Sequence, residues 1–546
     1  MAEMDLSVLA DLTPAPDDLV STDGPSLVDA FMCTANAFQS CSGNTAVFCN
    51  AAGTAVENIA CGAPCVAGGC GQCTGPACAS GTLTACDTIH GKSGATSPCV
   101  TLQAPTNTAT CTNATTCAQC AGAFVCGDGV NHGTAVDTQY ACTGGVIGAA
   151  TACSFGCDAA NGRCKDMIPA NQATAHLDSS GTADTFTCTG TQDATLPAVT
   201  AGNGETLTFD TDNATISKTG AITFAARWGG AYSPPTGGTQ VRVAHIKSLN
   251  LTAGAVVNVI GSRGLILLVD GVVDAAGNAG MKTFINARGL DTTPGPGAPT
   301  TLTAGEGGTP GAFGGSGGAG HGTAGSAGGH GNNGTTGGGT AGGTYGVIAL
   351  IEAGENGNSI AAGAAGGGGG GALQISACGT VTIGADVIVN LSGGGGAGGL
   401  STAGGAGGGS GGTLILEGRT IAVAGNLAAN GGGGGEGGTT GVSGNAGGNW
   451  IATGPVTTPA TGGAGGSGNG GDGANGAAGA TAAGATPAGN GVTASGGGGG
   501  GGGLGRIFLH SSPIAAAASA ANASPAARPS RTCVTANGVN AGCSYP

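Results

Sequence analysis

Aromatic side chains make up only 3% of this 546-residue chain, and charged side chains only 8%. Both fractions are low for an ordinary globular protein. Leu, Ile, Phe and Trp are scarce, and alanine supplies much of the 40% apolar fraction. A large conventional core is therefore not expected. Long-range order has to come from backbone hydrogen bonds, close approach at glycine and covalent staples. Basic residues number 14 against 29 acids, for a net charge of −15. No basic stripe forms, which argues against nucleic acid and against an anionic membrane surface. No stretch is long and apolar enough to span a bilayer, so no transmembrane segment is expected. Residues Met1 to Leu12 carry acids where the basic part of a secretory leader belongs, and no signal peptide is visible.

What the chain does have is cysteine and glycine. Eighteen of its 22 cysteines fall between Cys33 and Cys164, and the others are Cys188, Cys378, Cys533 and Cys543. That density belongs to an oxidising compartment, where disulfides replace a missing core. The cysteines thus place the chain outside the cytosol or at the cell surface, against the silence of its first residues. The candidate bridging set is Cys33, Cys41, Cys49, Cys61, Cys65, Cys70, Cys73, Cys78, Cys86, Cys99, Cys111, Cys117, Cys120, Cys126, Cys142, Cys153, Cys157 and Cys164. These are enough for nine bridges within the block. Cys533 and Cys543 are spaced to clip a terminal loop, and Cys188 and Cys378 are left either paired together or free.

Composition divides the chain into five stretches. Residues 1–32 are an acidic, proline-containing leader read as flexible. Residues 33–165 hold three degenerate cysteine units that close as Cys49-x11-Cys61-x3-Cys65-x7-Cys73, Cys99-x11-Cys111-x5-Cys117-x2-Cys120 and Cys142-x10-Cys153-x3-Cys157-x6-Cys164. Units this small need staples to hold a fold. Residues 166–302 carry short alternating strands such as Glu205-Thr-Leu-Thr-Phe-Asp and Ala255-Val-Val-Asn-Val-Ile-Gly. No helical pattern lies between them, which disfavours a doubly wound α/β sheet. Hairpins are one solution; a right-handed parallel β-helix that bends at Gly or Asn is the preferred one. Residues 303–510 repeat a composite unit of strand followed by a run of nearly pure glycine. The strands are at Tyr345 to Glu352, Leu373 to Leu391, Leu414 to Ala429 and Gly505 to His510, and glycine runs follow each of the first three and precede the first. Repetition at this length argues for a stacked, elongated protein. The runs read as excursions from a continuing solenoid. They are either linker or laterally hydrogen-bonded, polyglycine-II-like helices with three residues per turn. Their shortage of charge favours the ordered form. Residues 511–546 read as an Ala/Ser/Pro linker and a disulfide-clipped cap.

The strand unit Leu-x-Ile-x3-Gly-x-Val-x-Ile is carried by Leu373, Ile375, Gly379, Val381 and Ile383 with Leu391. It recurs at Leu414, Leu416, Gly418, Ile421 and Val423, with Asn430 and Gly431 opening the next run. With these residues the chain resembles the glycine-rich, β-helical surface proteins of gliding, predatory delta-type proteobacteria, in which a cysteine-rich segment often comes first. The stretches Leu207-Thr-Phe-Asp and Val257-Asn-Val-Ile-Gly-Ser-Arg fit as well. The resemblance spans about residues 200–510. It implies an all-β solenoid behind a small disulfide-rich region and an exported location. It carries no activity, since such proteins are largely uncharacterised.

Chemistry-bearing residues are few. Asp270 and Asp274 flank a glycine bend, Asp210 and Asp212 flank Thr211, and Arg263 precedes Asp270 by seven residues. Carboxylates and a base on one solenoid face are what polysaccharide lyases and hydrolases need. Here the aspartates read instead as bend caps. Asp210-Thr-Asp-Asn lacks the glycine and closing glutamate of a calcium loop. A zinc site would rest on Cys70-x2-Cys73 and Cys117-x2-Cys120, which leaves the other cysteines surplus. His321 and His330 make a poor metal pair. Trp228 with Tyr232, and Trp450, are candidate platforms for sugars, with packing as the competing role. The expectation is an exported, non-enzymatic structural or adhesive surface protein with no cofactor and no metal. Its partner would be a surface polysaccharide or a further copy of itself. The alternatives are a carbohydrate-active β-helix and a self-assembling fibre or coat.

Overall fold

The structure is a computed structural model. It describes residues 33–541 other than 73–76, 80–81, 88, 90–91, 99–109, 114–115, 119–122, 128–136, 144–145, 160–161, 172–175, 178–182, 185, 187, 190–192, 233–238, 300–306, 309–310, 347–349, 361–362, 452–453, 485–486, 513–521, 532 and 537–538. The leader 1–32 and Cys543 lie outside these residues, and with them the proposed terminal clip. Among the described residues every ordered element is a strand, bridge or turn, and none is a helix. The chain divides into two compact units, Met1–Gln119 and Cys120–Pro546.

In the first unit, strands Phe38–Ser42, Thr45–Cys49 and Val56–Ala60 form an antiparallel sheet. A second antiparallel sheet takes Ala77–Ala79, Thr82–Asp87 and Lys92–Pro98, and a hairpin takes Thr110–Asn113 and Thr116–Ala118. The core under the first sheet is small, with Ala46 and Phe48 packed among Cys61 and Cys70. Bridges Cys33–Cys49, Cys41–Cys65 and Cys61–Cys70 brace it. This is the substitution of covalent bonds for apolar area that small domains require.

The second unit begins with another stapled module, in which Phe124–Cys126, Thr138–Thr143 and Val146–Ala152 pair antiparallel. Its bridges are Cys126–Cys157 and Cys153–Cys164. The two modules share a wiring rule. In each Cys-x3-Cys pair the first cysteine bridges forward, as Cys61 to Cys70 and Cys153 to Cys164. The second bridges backward, as Cys65 to Cys41 and Cys157 to Cys126. Among the described residues no cysteine is free. Cys188 is paired with Cys378, across 190 residues.

From residue 198 onward two mixed sheets of ten and eight strands face each other. The chain passes between them repeatedly: Ser248–Leu251 belongs to the first, Val256–Ile260 to the second, Gly264–Val269 and Val273–Ala275 to the first, and Thr283–Asn286 to the second. Each return lays a strand parallel to its predecessor. At the starting edge the expectation of uniform parallel stacking fails. Thr206–Asp210, Thr215–Lys218 and Ile222–Phe224 form an antiparallel meander, and Arg227–Tyr232 pairs antiparallel with Val241–Ile246. Left-handed residues at Ala214 and Ala221 turn that meander. There the connections are short enough for hairpins.

Parallel register brings like onto like. Leu265, Leu373, Leu414 and Ile507 form one row, and Leu267, Ile375, Leu416 and Leu509 another. On the facing sheet the row is Leu207, Val257, Ile285, Val389 and Leu427. These rows meet in one continuous core. Each fully buried side chain of this kind contributes about 1.5–3 kcal/mol.

Three long excursions interrupt the stack: residues 287–371, 391–412 and 429–505. Each ends where the chain resumes a strand parallel to the last one. Their glycine runs pack together with a three-residue period. Along residues 431–438 successive N–H groups donate in rotation to three neighbouring runs. Gly431, Gly434 and Gly437 reach Ala477, Ala474 and Gly471; Gly432, Gly435 and Gly438 reach Gly409, Ala406 and Ala403; Gly433 and Glu436 reach Gly448 and Asn445. The carbonyls of the same run accept from Gly396 and Gly399, from Gly502, Gly499 and Gly496, and from Gly463. A Cβ on Gly432 would lie 1.9 Å from the Gly394 oxygen, and one on Gly435 2.0 Å from that of Ala397. No side chain fits there, which is why the sequence in this stretch is glycine.

The C-terminal part also contributes strands. Ala523–Ser524 pairs parallel with Asn426–Ala428, and Arg528–Arg531 with Arg506–Ser511. Cys533–Ala536 then pairs antiparallel with Asp166–Ile168. The stretch read from sequence as linker and cap therefore includes two further strands of the stack.

Candidate functional site

Among the described residues of the second unit, three buried groups set a histidine or an arginine against a carboxylate, and two surface grooves each carry an arginine. The first group is a pair. His245, on Val241–Ile246, places Nε2 2.6 Å from Oδ1 of Asp270, and their side chains are 2% and 3% exposed. Asp270 follows directly on the strand paired with that of His245. Phe186 packs edge-on to the imidazole.

The second group lies on the same outer row, where register sets Ser376, Glu417 and His510 side by side. Glu417 is fully buried. Its carboxylate accepts from Ser376 Oγ at 2.7 Å, from Gln374 Nε2 at 3.0 Å and from the Ala170 amide at 3.0 and 3.1 Å. His510 Nδ1 lies 2.9 Å away. Ser376 bonds to the acid and not to the histidine, so this is no nucleophilic triad. A buried carboxylate needs such saturation to be tolerated at all. Its partners tie residues 170–171 onto the sheet, an attachment reinforced by Cys188–Cys378.

The third group caps one glycine row. Arg506 Nη1 lies 3.2 Å from Glu352 Oε2, and Nη2 donates to the Tyr345 carbonyl. Tyr345 stacks on His321 with ring centroids 4.9 Å apart and donates its hydroxyl to the Ala353 carbonyl at 2.5 Å. Burial, aided by the Arg506 charge and opposed by the Gly411 carbonyl, pushes His321 down to about 3. The imidazole is therefore neutral at physiological pH. Burial and the neighbouring Glu355 and Glu352 push the Tyr345 hydroxyl up, with Arg506 opposing.

The larger groove lies on the outer face of the second sheet. It encloses about 540 Å³ and is floored by Thr208, Asn258 and Asn286, one from each of three successive parallel strands. Arg288 follows the last of these strands, and Leu290 with Thr293, Pro294, Gly295 and Pro296 forms the far wall. A smaller groove of about 420 Å³ includes Arg227 and Trp228.

The residues singled out from sequence fall apart in space. Asp270 is buried against His245, while Asp274 is exposed. Asp210 caps its own turn by accepting from the Asp212 and Asn213 amides at 2.9 and 3.0 Å, as the bend reading expected. Asp212 is held by Arg263 at 2.7 Å and by Ser262 at 2.6 Å. The Ser262 hydrogen bond leads in lowering the pKa of its carboxyl, against partial burial. His321 is buried and His330 exposed, so the two do not form a pair. Cys70 is bonded to Cys61, and a bridged sulfur is no zinc thiolate, so the zinc reading fails there. Among the described residues no cluster of three metal-ligating side chains forms. Trp228 is 6% exposed and packs in the core, and Trp450 is 2% exposed beside Ile388 and Val456. Packing, the competing role, therefore takes both rings. The side chain of Tyr232 lies outside what the structure describes.

Sequence reasoning missed the His245–Asp270 pair and the Glu417 cluster. The first has a signal: Val241 faces Gly264, so residues about one coil apart are neighbours. The second is hidden by an excursion, since Glu417 and His510 are 93 residues apart. Comparison with known proteins identifies no relative: no family model, curated protein or solved structure matches the chain.

Proposed function

We propose that this chain is an exported structural or adhesive surface protein, and that it is not an enzyme. The stack is read as a right-handed parallel β-helix, and the glycine excursions as a polyglycine-II-like bundle packed on it. The observation that carries the reading is run 431–438, which donates to three neighbouring runs and accepts from three more. Such an array spends its backbone on lateral hydrogen bonds and offers few side chains to a protease. Durability is its product. Engagement of Glu417 supports a non-catalytic role for its cluster, because the carboxylate already accepts from Ser376, Gln374 and the Ala170 amide and lies 2.9 Å from His510 Nδ1. The many disulfides fit an oxidising, extracellular environment.

The experiment is thiol alkylation of native material before and after reduction, with surface labelling of intact cells. The reading expects almost no alkylation before reduction and labelling from outside. Free thiols throughout, with no external labelling, would end it. Light scattering against concentration separates a monomeric adhesin from a self-assembling fibre or coat.

A further inference from the structure

The geometry points to the groove over Thr208, Asn258 and Asn286 as a binding site for a carboxylate-bearing polysaccharide, with Arg288 as its anion anchor. This deepens the adhesive half of the function proposed above and rests on it for the setting in which such a glycan is met.

Three observations converge. The first is an unpaired cation. Arg288 is half-buried in the groove wall, and among the described residues its guanidinium makes neither a hydrogen bond nor an ion pair. Asp291 acts on it only through space and is itself held by Asn449 Nδ2 at 2.7 Å. The nearby bend aspartates are also engaged, Asp210 with its own turn and Asp212 with Arg263 and Ser262. A guanidinium left partly desolvated without a partner is unfavourable. Its planar fork suits a carboxylate held by two parallel hydrogen bonds.

The second observation is periodic polarity. Thr208, Asn258 and Asn286 stand in register on adjacent parallel strands. Such strands are about 4.8 Å apart, which is close to the repeat of a pyranose along an extended chain. Each sugar unit would thus meet one polar side chain. Asn286 Nδ2 donates to Asn258 Oδ1 at 3.2 Å. That leaves Asn258 an amide donor and Asn286 a carbonyl acceptor, neither bonded to any described residue, to face hydroxyls.

The third is the shape of the groove. Its volume of about 540 Å³ suits a short oligosaccharide. Leu290, Pro294 and Pro296 give the far wall an apolar surface for the C–H faces of the rings. That wall is fixed: the Gly289 amide bonds to Ser392, and the Gly295 amide to Gly369.

The test uses the full-length chain with intact disulfides. Binding of polygalacturonate oligomers is measured by calorimetry at low salt, against a neutral cello-oligosaccharide and inorganic phosphate. Wild type should bind polygalacturonate, weaken as salt rises, and ignore the other two probes. Arg288→Gln should lose about tenfold or more, as expected on removing a charged hydrogen-bond donor. Arg288→Lys should keep part of the affinity. Arg419→Gln, an exposed change of equal charge on another sheet, should bind like wild type. The proposal is overturned if wild type does not bind polygalacturonate. Equal binding of the neutral oligomer, phosphate displacing the glycan, or equal affinity in Arg288→Gln would also overturn it. A chain that is surface-labelled and fully bridged yet fails these assays loses the groove but keeps the exported-rod reading. A chain that binds but carries free thiols in the cytosol does the reverse.

Discussion

The strand stack and the glycine array are built on opposite rules, although they share one chain and touch along its length. In the stack the interior is side chain. Rows such as Leu267, Ile375, Leu416 and Leu509 exclude water, and the backbone at each level is occupied by its strand neighbours. In the array the interior is backbone. Residues 431–438 are surrounded by other runs at distances that a single methyl group would violate. The stack therefore tolerates exchange among apolar residues of similar volume. The array tolerates almost nothing at its centre and a good deal at its turns. A protein with few large apolar residues can thus be large and ordered, provided that it hydrogen-bonds the backbone laterally.

That contrast can be broken most sharply at Gly432. Replacing it by alanine should destabilise the chain by more than about 4 kcal/mol, the range reserved for severe steric defects, because the new methyl group meets a carbonyl oxygen at 1.9 Å. Denaturant unfolding would show it, and a variant as stable as wild type would refute backbone packing at the array centre. Next in size, Leu416→Ala should cost about 2–5 kcal/mol, the ordinary penalty for a cavity in an apolar core. A loss well under that range would mean that the stack is looser than its buried rows imply.

Acid comes third. His321 titrates at about 3 in the fold and near 6.5 unfolded. Its neutral form is the folded one, so the unfolded chain binds the extra proton between these values. Stability is full above pH 6.5 and falls as pH drops, by about 2 kcal/mol between pH 6.5 and 5. The check is denaturant melts across that range for wild type and His321→Gln. If both slopes are the same, the titrating group lies elsewhere. The smallest effect belongs to Gly441→Ala, at a turn with φ of +75° and nothing within 4 Å of the new atom. Only left-handed strain should register, at about 1 kcal/mol. Gly432 and Gly441, nine residues apart, would then differ several-fold in sensitivity.

Much of the stack was legible. Alternation placed strands over Leu373 to Leu391, Leu414 to Ala429 and Gly505 to His510, where the structure has Ala372–Ile383 with Val387–Asn390, Thr413–Val423 with Asn426–Ala428, and Arg506–Ser511; the strand expected over Tyr345 to Glu352 does not form at its described residues. Apolar period reports a buried face whatever the sheet. It does not report strand direction, so the antiparallel meander from Thr206 to Phe224 was not foreseen as such. The groove was invisible for a related reason. Thr208, Asn258 and Asn286 are ordinary polar positions on three separate strands, and only coil length makes them a row. Cys188 and Cys378 could be listed as a possible pair by elimination, but their meeting depends on the route of the first excursion. Trp228 was read as a candidate sugar platform because an aromatic face can stack on a pyranose, and residue type alone does not report that the ring is buried in the core.

The three-residue period of the array also sets a rule for change in length. Adding or removing three residues within a run returns every N–H to a carbonyl equivalent to the one it left. Adding one or two turns the rest of the run by a third or two thirds of a revolution, so that each donor faces the wrong neighbour. Runs should therefore drift in length by triplets between versions of this protein. Side chains that occur once per run, such as Asn430 at the start of one and Glu436 within it, would hold the frame. Glu436 does this through the amides of Asn445, Gly466 and Ser467. Length variation that ignored the triplet would have to be absorbed at the turns, where Gly441 and Gly465 leave open space.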